Sequence, residues 1–335
     1  MTTLSIPADA PTLAEAYARI PSGGTITLAP GKYVLEETLI IDKPLTLESA
    51  GGNVTITSEK ADVTIHMTAD THLRGIKIEN TKPNPESDED DDEGDDITRY
   101  ALSITSGAAR ITDCEIVSAT AGIRITGTSA NPEICNCRVH HCGEEGIFVG
   151  DGARASIVGC EIYENEDSGI WVQGDGTSPR VSGCRIHHAK GGGFFIFDGA
   201  GGEYRDCEIY ENEGTGFLVL DAGSDPHVAG CRIYRRKGGG IGCGEGAGGD
   251  FRNCDIYENE EAQVSAIGAG SSPTVVGCNI HHGKSLGVLV SDAAGGEFRE
   301  NRLYENRAGN WSVPGFFASL FARTKVVRVD NEPNK

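Results

Sequence analysis

The chain has 335 residues, with 46 glycines, 11 cysteines and a formal charge of −21. That much negative charge disfavours nucleic acid, anionic membranes and polyuronates unless a cation intervenes. No apolar run is long enough to span a bilayer and nothing at Met1-Thr-Thr-Leu-Ser-Ile6 reads as a signal peptide, so the cysteines are expected to be reduced thiols in a cytoplasmic protein.

Residues 1–21 read as a strand at Leu4–Ile6 followed by a capping helix. The helix opens at Pro11 and puts Leu13, Ala16, Tyr17 and Ile20 on one face, which suits it to cover the open edge of a sheet. Short strands follow at Thr25–Leu28, Leu39–Ile41, Leu45–Leu47, Val54–Ile56, Val63–Ile65 and Ile76–Ile78, with a turn expected at Ala29-Pro-Gly-Lys32. Ile116 follows Ile78 by 38 positions, where a later coil takes 23. The surplus is an insertion, residues 81–98, whose core Glu86–Asp96 holds nine carboxylates and no base. Such a run repels itself and is expected to be disordered.

From there the chain repeats. Cysteines fall at 114, 137, 160, 184, 207, 231, 254 and 278, with Asn301 in the ninth place, and the steps alternate between 24 and 23 residues from Cys160 onward. An aliphatic residue follows each by two positions, and a glycine opens the next strand at Gly122, Gly146, Gly169, Gly193, Gly216, Gly240 and Gly287, with Gln263 the one departure. A fixed short period marks a solenoid. About 23 residues make three short strands and three turns, one coil of a parallel β-helix whose coils stack at roughly 4.8 Å. The predicted fold is therefore all-β, a single-stranded right-handed parallel β-helix over residues 22–310, its hand taken from the preference of parallel crossovers. Residues 311–335 read as a C-terminal cap and tail, with Phe316, Phe317, Leu320 and Phe321 along one side of a short helix.

Stacked coils turn sequence positions into ladders. One outward row alternates in sign, from Glu115, Arg138 and Glu161 through Arg185, Glu208 and Arg232, and a turn row does the same with Glu213, Lys237, Glu260 and Lys284. Opposite charges in register attract, so both rows read as structural and explain a two-coil unit. A third row, His140, Tyr163, His187, Tyr210, Tyr234, Tyr257, His281 and Tyr304, is expected to stack ring on ring. Cys135, His140, His141 and Cys142 are chemically able to bind zinc, although their spacing matches no zinc signature. On the glycine-started strands the outward row reads Arg124, Phe148, Trp171, Phe195 and Leu218. Large apolar groups displayed on a flat sheet mark a binding surface. Beside it an acidic ladder runs Asp151, Asp175, Asp198, Asp221, Glu245 and Asp292, which suits turn formation and, as an alternative, calcium.

The phrases Ser178-Pro-Arg-Val-Ser-Gly-Cys-Arg-Ile-His-His188, Gly191-Gly-Gly-Phe-Phe-Ile196 and Cys207-Glu-Ile-Tyr-Glu-Asn212 resemble the right-handed β-helix repeats of the pectin-lyase-like superfamily. The likeness extends to repeats of carbohydrate-binding and sugar-hydrolase domains and of the substrate-binding region of an F-box ubiquitin-ligase subunit. The start, from Thr12 through Ala29-Pro-Gly-Lys-Tyr33, is similar to bacterial β-helix regions joined to AAA-type ATPases. The resemblance implies that any catalytic groups would stand on or beside the sheet carrying the apolar row. A lyase would need Arg or Lys as base near calcium-binding carboxylates, and a hydrolase would need clustered Asp or Glu. The row offers only Arg124 as an ionisable group, so no catalytic motif carries over. The sequence thus points first to a non-catalytic scaffold that binds a protein or glycan partner, or another copy of itself, through Arg124, Phe148, Trp171, Phe195 and Leu218. The alternative is a polysaccharide lyase, epimerase or hydrolase using acidic residues such as Asp175 and Asp198 with calcium; no other cofactor is expected.

Overall fold

A computed structural model describes residues 2–83, 99–312 and 326–329. The acidic run Glu86–Asp96 and the apolar tail Phe316–Phe321 lie outside the described residues. The chain divides into two compact units, the first comprising residues 1–149 and 153–166 and the second residues 150–152 and 167–335.

The first unit begins with a strand at Thr3–Ile6 and a helix at Leu13–Arg19. Thr12, not Pro11, caps the helix, accepting a hydrogen bond from the Glu15 N–H at 3.2 Å. Leu13, Ala16 and Ile20 are buried as the periodicity requires. The Lys43 ammonium fixes the helix end by donating to the Tyr17 and Ile20 carbonyls, each at 2.8 Å. The predicted turn at Ala29–Lys32 is shorter than expected, because a strand begins at Gly31 and runs to Leu35. Lys32 and Tyr33 instead pair with Thr55 and Ile56 of the next coil.

Each coil contributes one strand to each of three parallel sheets, the architecture of a right-handed parallel β-helix. The sheets are named here by how their strands begin in the repeat: glycine-led, cysteine-led and a third that precedes each cysteine. Strand alternation sends one residue in two to the interior, where identical positions stack. In the first unit Ile26, Leu47, Leu73, Ile111, Ile134 and Ile157 form one such column. Ile78 pairs directly with Ile116, so the step of 38 positions between them is one coil with an insertion. In the second unit the column Phe194, Phe217, Ile241, Val264 and Val288 faces Val181, Tyr204, Val228, Phe251 and Val275. All eleven cysteines are free thiols, and the eight at ladder positions are buried.

The two-coil period has an interior cause as well. Asn165, Asn212, Asn259 and Asn306, one in every second coil, are buried. Asn212 donates to the Ile186 carbonyl at 3.1 Å and accepts from the Ala189 N–H at 2.9 Å, and Asn306 repeats this with Ile280 and Gly283. The side chain supplies hydrogen bonds that the backbone cannot make at the corner, and a buried carbonyl or N–H left alone would cost more than the bond contributes. Gln263 departs from glycine because its amide accepts from Asn259 Nδ2 at 2.7 Å in the same buried corner. Outside, the charged rows pair as read: Arg138 with Glu115 in the first unit, and Arg232 with Glu208, Lys237 with Glu213 at 2.6 Å and Lys284 with Glu260 at 2.8 Å in the second.

One residue breaks the interior pattern. Arg236 occupies the place held by Ala189 and Gly283 in neighbouring repeats, and it is 1% exposed. Its Nε and Nη2 both donate to the Gly214 carbonyl, at 3.2 and 2.8 Å, while Nη1 finds no partner among the described residues. Burial pulls its pKa down to about 9. Glycine at 216 is required here, since a Cβ there would stand 2.3 Å from the Gly240 carbonyl oxygen, with Nη1 a further 2.9 Å contact. A buried charge with a single neutral acceptor opposes folding. Arg236→Met is therefore expected to raise stability by about 1–4 kcal/mol. A lower urea midpoint for this variant than for wild type would contradict that account.

Candidate active site

The glycine-led sheet of the first unit gathers polar and ionisable side chains on its outward face. Its strands Val63–Met67, Tyr100–Ile104 and Ala121–Thr126 send Ile65, Met67, Leu102, Ile104, Ile123 and Ile125 inward. The residues between them must face out, and the register sets Ser103 opposite His66 on one side and Arg124 on the other. His66 Nδ1 lies 3.2 Å from Ser103 Oγ. Ser103 is only 5% exposed, so its hydroxyl is a fixed partner and not a solvent-mobile one. The Arg124 Cζ sits 5.4 Å from the centre of the Tyr100 ring and 5.6 Å from that of Phe148, and its Nη1 donates to the Tyr100 hydroxyl at 3.3 Å. Two aromatic faces thus hold the guanidinium in place without neutralising it. Burial pushes the His66 pKa below the ordinary imidazole value, which favours the neutral ring.

This arrangement corrects the expectation that Arg124 is the only ionisable group in the outward row. The row runs on through Ser103 and His66 to Ile40, adding one ionisable group, His66. His66 and Ser103 were missed because the insertion hides their register with Arg124, and because the strands before it lack the opening glycine. The alternations Thr64-Ile-His-Met67 and Leu102-Ser-Ile104 were the available signal.

In the second unit, Trp171, Phe195 and Leu218 are half-buried and not displayed on an open sheet. The reason is mutual cover: Trp171 meets Phe195 edge to face at 5.2 Å and Phe197 at 5.7 Å, and Phe195 stacks on Phe197 at 4.4 Å. Phe197, which the sequence reading omitted, completes this patch. Among the described residues, the large hydrophobics that are exposed are Val34, Ile40, Val158 and Ile267. Trp171 Nε1 is buried with no hydrogen-bond partner among the described residues.

The acidic ladder serves the turns. Asp151, Asp198, Asp221, Glu245 and Asp292 all adopt left-handed φ between 52° and 70°, and the Asp198 N–H donates to Asp221 Oδ2 at 3.0 Å. Asp175 departs from this, because its neighbours Gly174 and Gly176 take the positive φ, at 90° and 77°. Among the described residues no group of three or more His, Cys, Asp or Glu is gathered closely enough to hold a metal ion. That covers the cluster Cys135, His140, His141 and Cys142. Cys142 is buried with its thiol pushed up to about 12, and burial together with Glu133 raises Cys135 to about 11, so both sulfurs stay protonated. The ring row stacks as expected: His140 on Tyr163 at 4.6 Å, His187 on Tyr210 at 4.7 Å and Tyr234 on Tyr257 at 4.9 Å.

The family described as a right-handed beta helix region matches residues 63–233 and 206–317. The chain belongs to this right-handed β-helix family. Solved structures with the same fold include the A-module of the mannuronan C-5 epimerase AlgE6 of Azotobacter vinelandii, at 17% identity and a TM-score of 0.67, covering 96% of this chain and 93% of that one. A point mutant of the periplasmic alginate epimerase AlgG gives 13% identity and a TM-score of 0.70 over 99% of this chain and 84% of that one. The catalytic unit of a GH87 α-1,3-glucanase from Streptomyces thermodiastaticus gives 13% and 0.55 over 95% and 64%. No curated protein matches the chain. At these identities the likeness establishes the β-helix fold, and the chemistry has to be argued from the side chains.

Proposed function

We propose that this protein is an enzyme acting on an acidic polysaccharide, moving a proton on a sugar carbon that bears a carboxylate. The observation that carries it is the row His66, Ser103, Arg124 on one outward face, with Arg124 pinned between Tyr100 and Phe148. In this reading Nδ1–H of His66 donates to Ser103 Oγ, which leaves the Nε2 lone pair as the base. The carbon–hydrogen bond breaks, the proton passes to Nε2, and the negative charge spreads onto the substrate carboxylate, where Arg124 stabilises it. A proton delivered by water to the opposite face, while His66 keeps the one it took and later releases it to solvent, gives an epimer; expelling the neighbouring glycosidic oxygen, which takes up a proton from water, gives chain cleavage. Arg124 also answers the objection that a chain of charge −21 should repel such a substrate, because it supplies the local cation. The mannuronan and alginate epimerases among the solved structures support the acidic substrate class, while the glucanase supports only a polysaccharide.

The test is incubation with polymannuronate and polygalacturonate in deuterium oxide. Deuterium entering the sugar ring, or unsaturated chain ends, supports the proposal; neither on either polymer overturns it. A second reading, a glycan-binding scaffold, is favoured by the cluster of half-buried rings Trp171, Phe195 and Phe197 on one outward face. Binding without turnover, lost in Trp171→Ala, would select it.

A further inference from the structure

Six of the nine histidines stand in three adjacent pairs, His140–His141, His187–His188 and His281–His282. The first member of each is the outward ring of a cysteine-led strand, stacked on the tyrosine of the next coil. The second member adopts left-handed φ of 52°, 57° and 52° respectively. That backbone turn sets the two rings nearly perpendicular and brings their Nδ1 atoms to 2.8, 2.8 and 2.7 Å. The far nitrogen of each second ring faces a glutamate one coil on: His141 Nε2 is 3.1 Å from Glu164, His188 Nε2 is 3.1 Å from Glu211 and His282 Nε2 is 2.5 Å from Glu305. In the third pair the first ring is held likewise, with His281 Nε2 3.0 Å from Asp255.

Counting protons shows what this geometry asks for. An ionised carboxylate only accepts, so each Nε2 facing one carries the N–H. A neutral imidazole has no second proton, which leaves its Nδ1 as a bare lone pair. In the third pair two such lone pairs stand 2.7 Å apart, so a positive charge has to join them, either one extra proton or a metal ion taken up as the rings open. The repeat that lacks a pair agrees. There the residues are Tyr234 and Arg235, and Arg235, also left-handed at φ 54°, donates to Glu258 at 2.7 Å. A permanent positive charge stands where the histidine pair would be.

We propose that each pair is an open, two-nitrogen site for a divalent transition-metal ion, with the flanking carboxylates orienting the rings from outside. Histidines that ligate a metal characteristically donate their other N–H to a carboxylate, which fixes the tautomer and raises ligand basicity. Two ligands at about 2.0–2.1 Å from a metal, near a right or tetrahedral angle, stand roughly 2.9–3.4 Å apart. A small outward swing of the second ring reaches that span, and that ring is free to make it, being 61%, 49% and 48% exposed at its side chain in the three pairs. Water completes the shell, which fits the absence of any three-residue cluster among the described residues. Imidazole nitrogens suit copper, nickel and zinc.

Nickel(II) is the probe, measured by equilibrium dialysis and calorimetry on the tag-free full chain near neutral pH. Three equivalents are expected. His141→Asn, His188→Asn and His282→Asn should each remove one and together remove all three, asparagine being chosen because it tolerates left-handed φ. Adding Tyr234→His and Arg235→His to the wild type should create a fourth. Unchanged thermal unfolding in the asparagine variants would separate lost ligands from lost fold. Nickel uptake by wild type no greater than by the triple variant would overturn the proposal and leave each pair sharing an extra proton instead.

Discussion

Replacing His66 with glutamine is expected to lower the turnover rate on an acidic polysaccharide by about 10²–10⁴-fold, the usual worth of a positioned general base. Glutamine keeps a hydrogen bond to Ser103 but offers no nitrogen lone pair, so the Michaelis constant should change little while the rate collapses. Arg124→Lys is expected to cost about 10²–10³-fold, the range seen when one donor to a developing oxyanion is lost. Lysine keeps the charge, but it has no planar fork to lie between Tyr100 and Phe148. The pH profile carries an independent check. Burial lowers the His66 pKa, so the neutral, basic form persists to lower pH than for a free imidazole. The acid limb of kcat/KM should therefore fall below the ordinary imidazole value. A limb at or above that value, or wild-type turnover in His66→Gln, would remove His66 from the chemistry.

Phe217→Ala is expected to be the most destabilising single change in the second unit, costing about 3–5 kcal/mol. The ring is fully buried, stacked on Phe194 at 4.5 Å and meeting Tyr204 edge to face at 5.6 Å and Phe251 at 6.4 Å. Nothing polar lies there to let water fill the space, because the Tyr204 hydroxyl is already donating to the Gly201 carbonyl at 2.9 Å. The neighbour Leu218 is the control. It points outward and is half-buried, so Leu218→Ala should cost well under half as much. Urea unfolding of the two variants side by side decides the matter; equal midpoints would mean that this interior column is not packed as described.

The fold was legible because a β-helix writes its cross-section into the sequence once per coil. Cysteine, then aliphatic, then glycine at a fixed spacing could mean little else, and the alternating charges gave the two-coil unit correctly. The interior asparagines were equally visible in Tyr163-Glu-Asn165 and its repeats, but a polar residue in a turn suggests solvent until its partners are seen. The candidate site was harder for a different reason. A catalytic row on a solenoid is made of residues that break the repeat, and periodicity is blind to them. His66 and Ser103 also lie either side of the insertion, so no count of residues could bring them together. Trp171, by contrast, stood out in the sequence, yet its rings proved to cover one another.

The alternation of charge and of buried asparagine from coil to coil also limits how a chain like this can change length. Removing a single coil would set Glu against Glu, with two asparagine corners stacked directly, or Lys against Lys, with two corners lacking an asparagine between them, depending on which coil is lost. Removing two coils, the 47 residues that separate Cys160 from Cys207, restores every pairing. Growth by duplication and loss by deletion are therefore quantised: the viable step is the pair, and lineages of this architecture should differ by even numbers of coils.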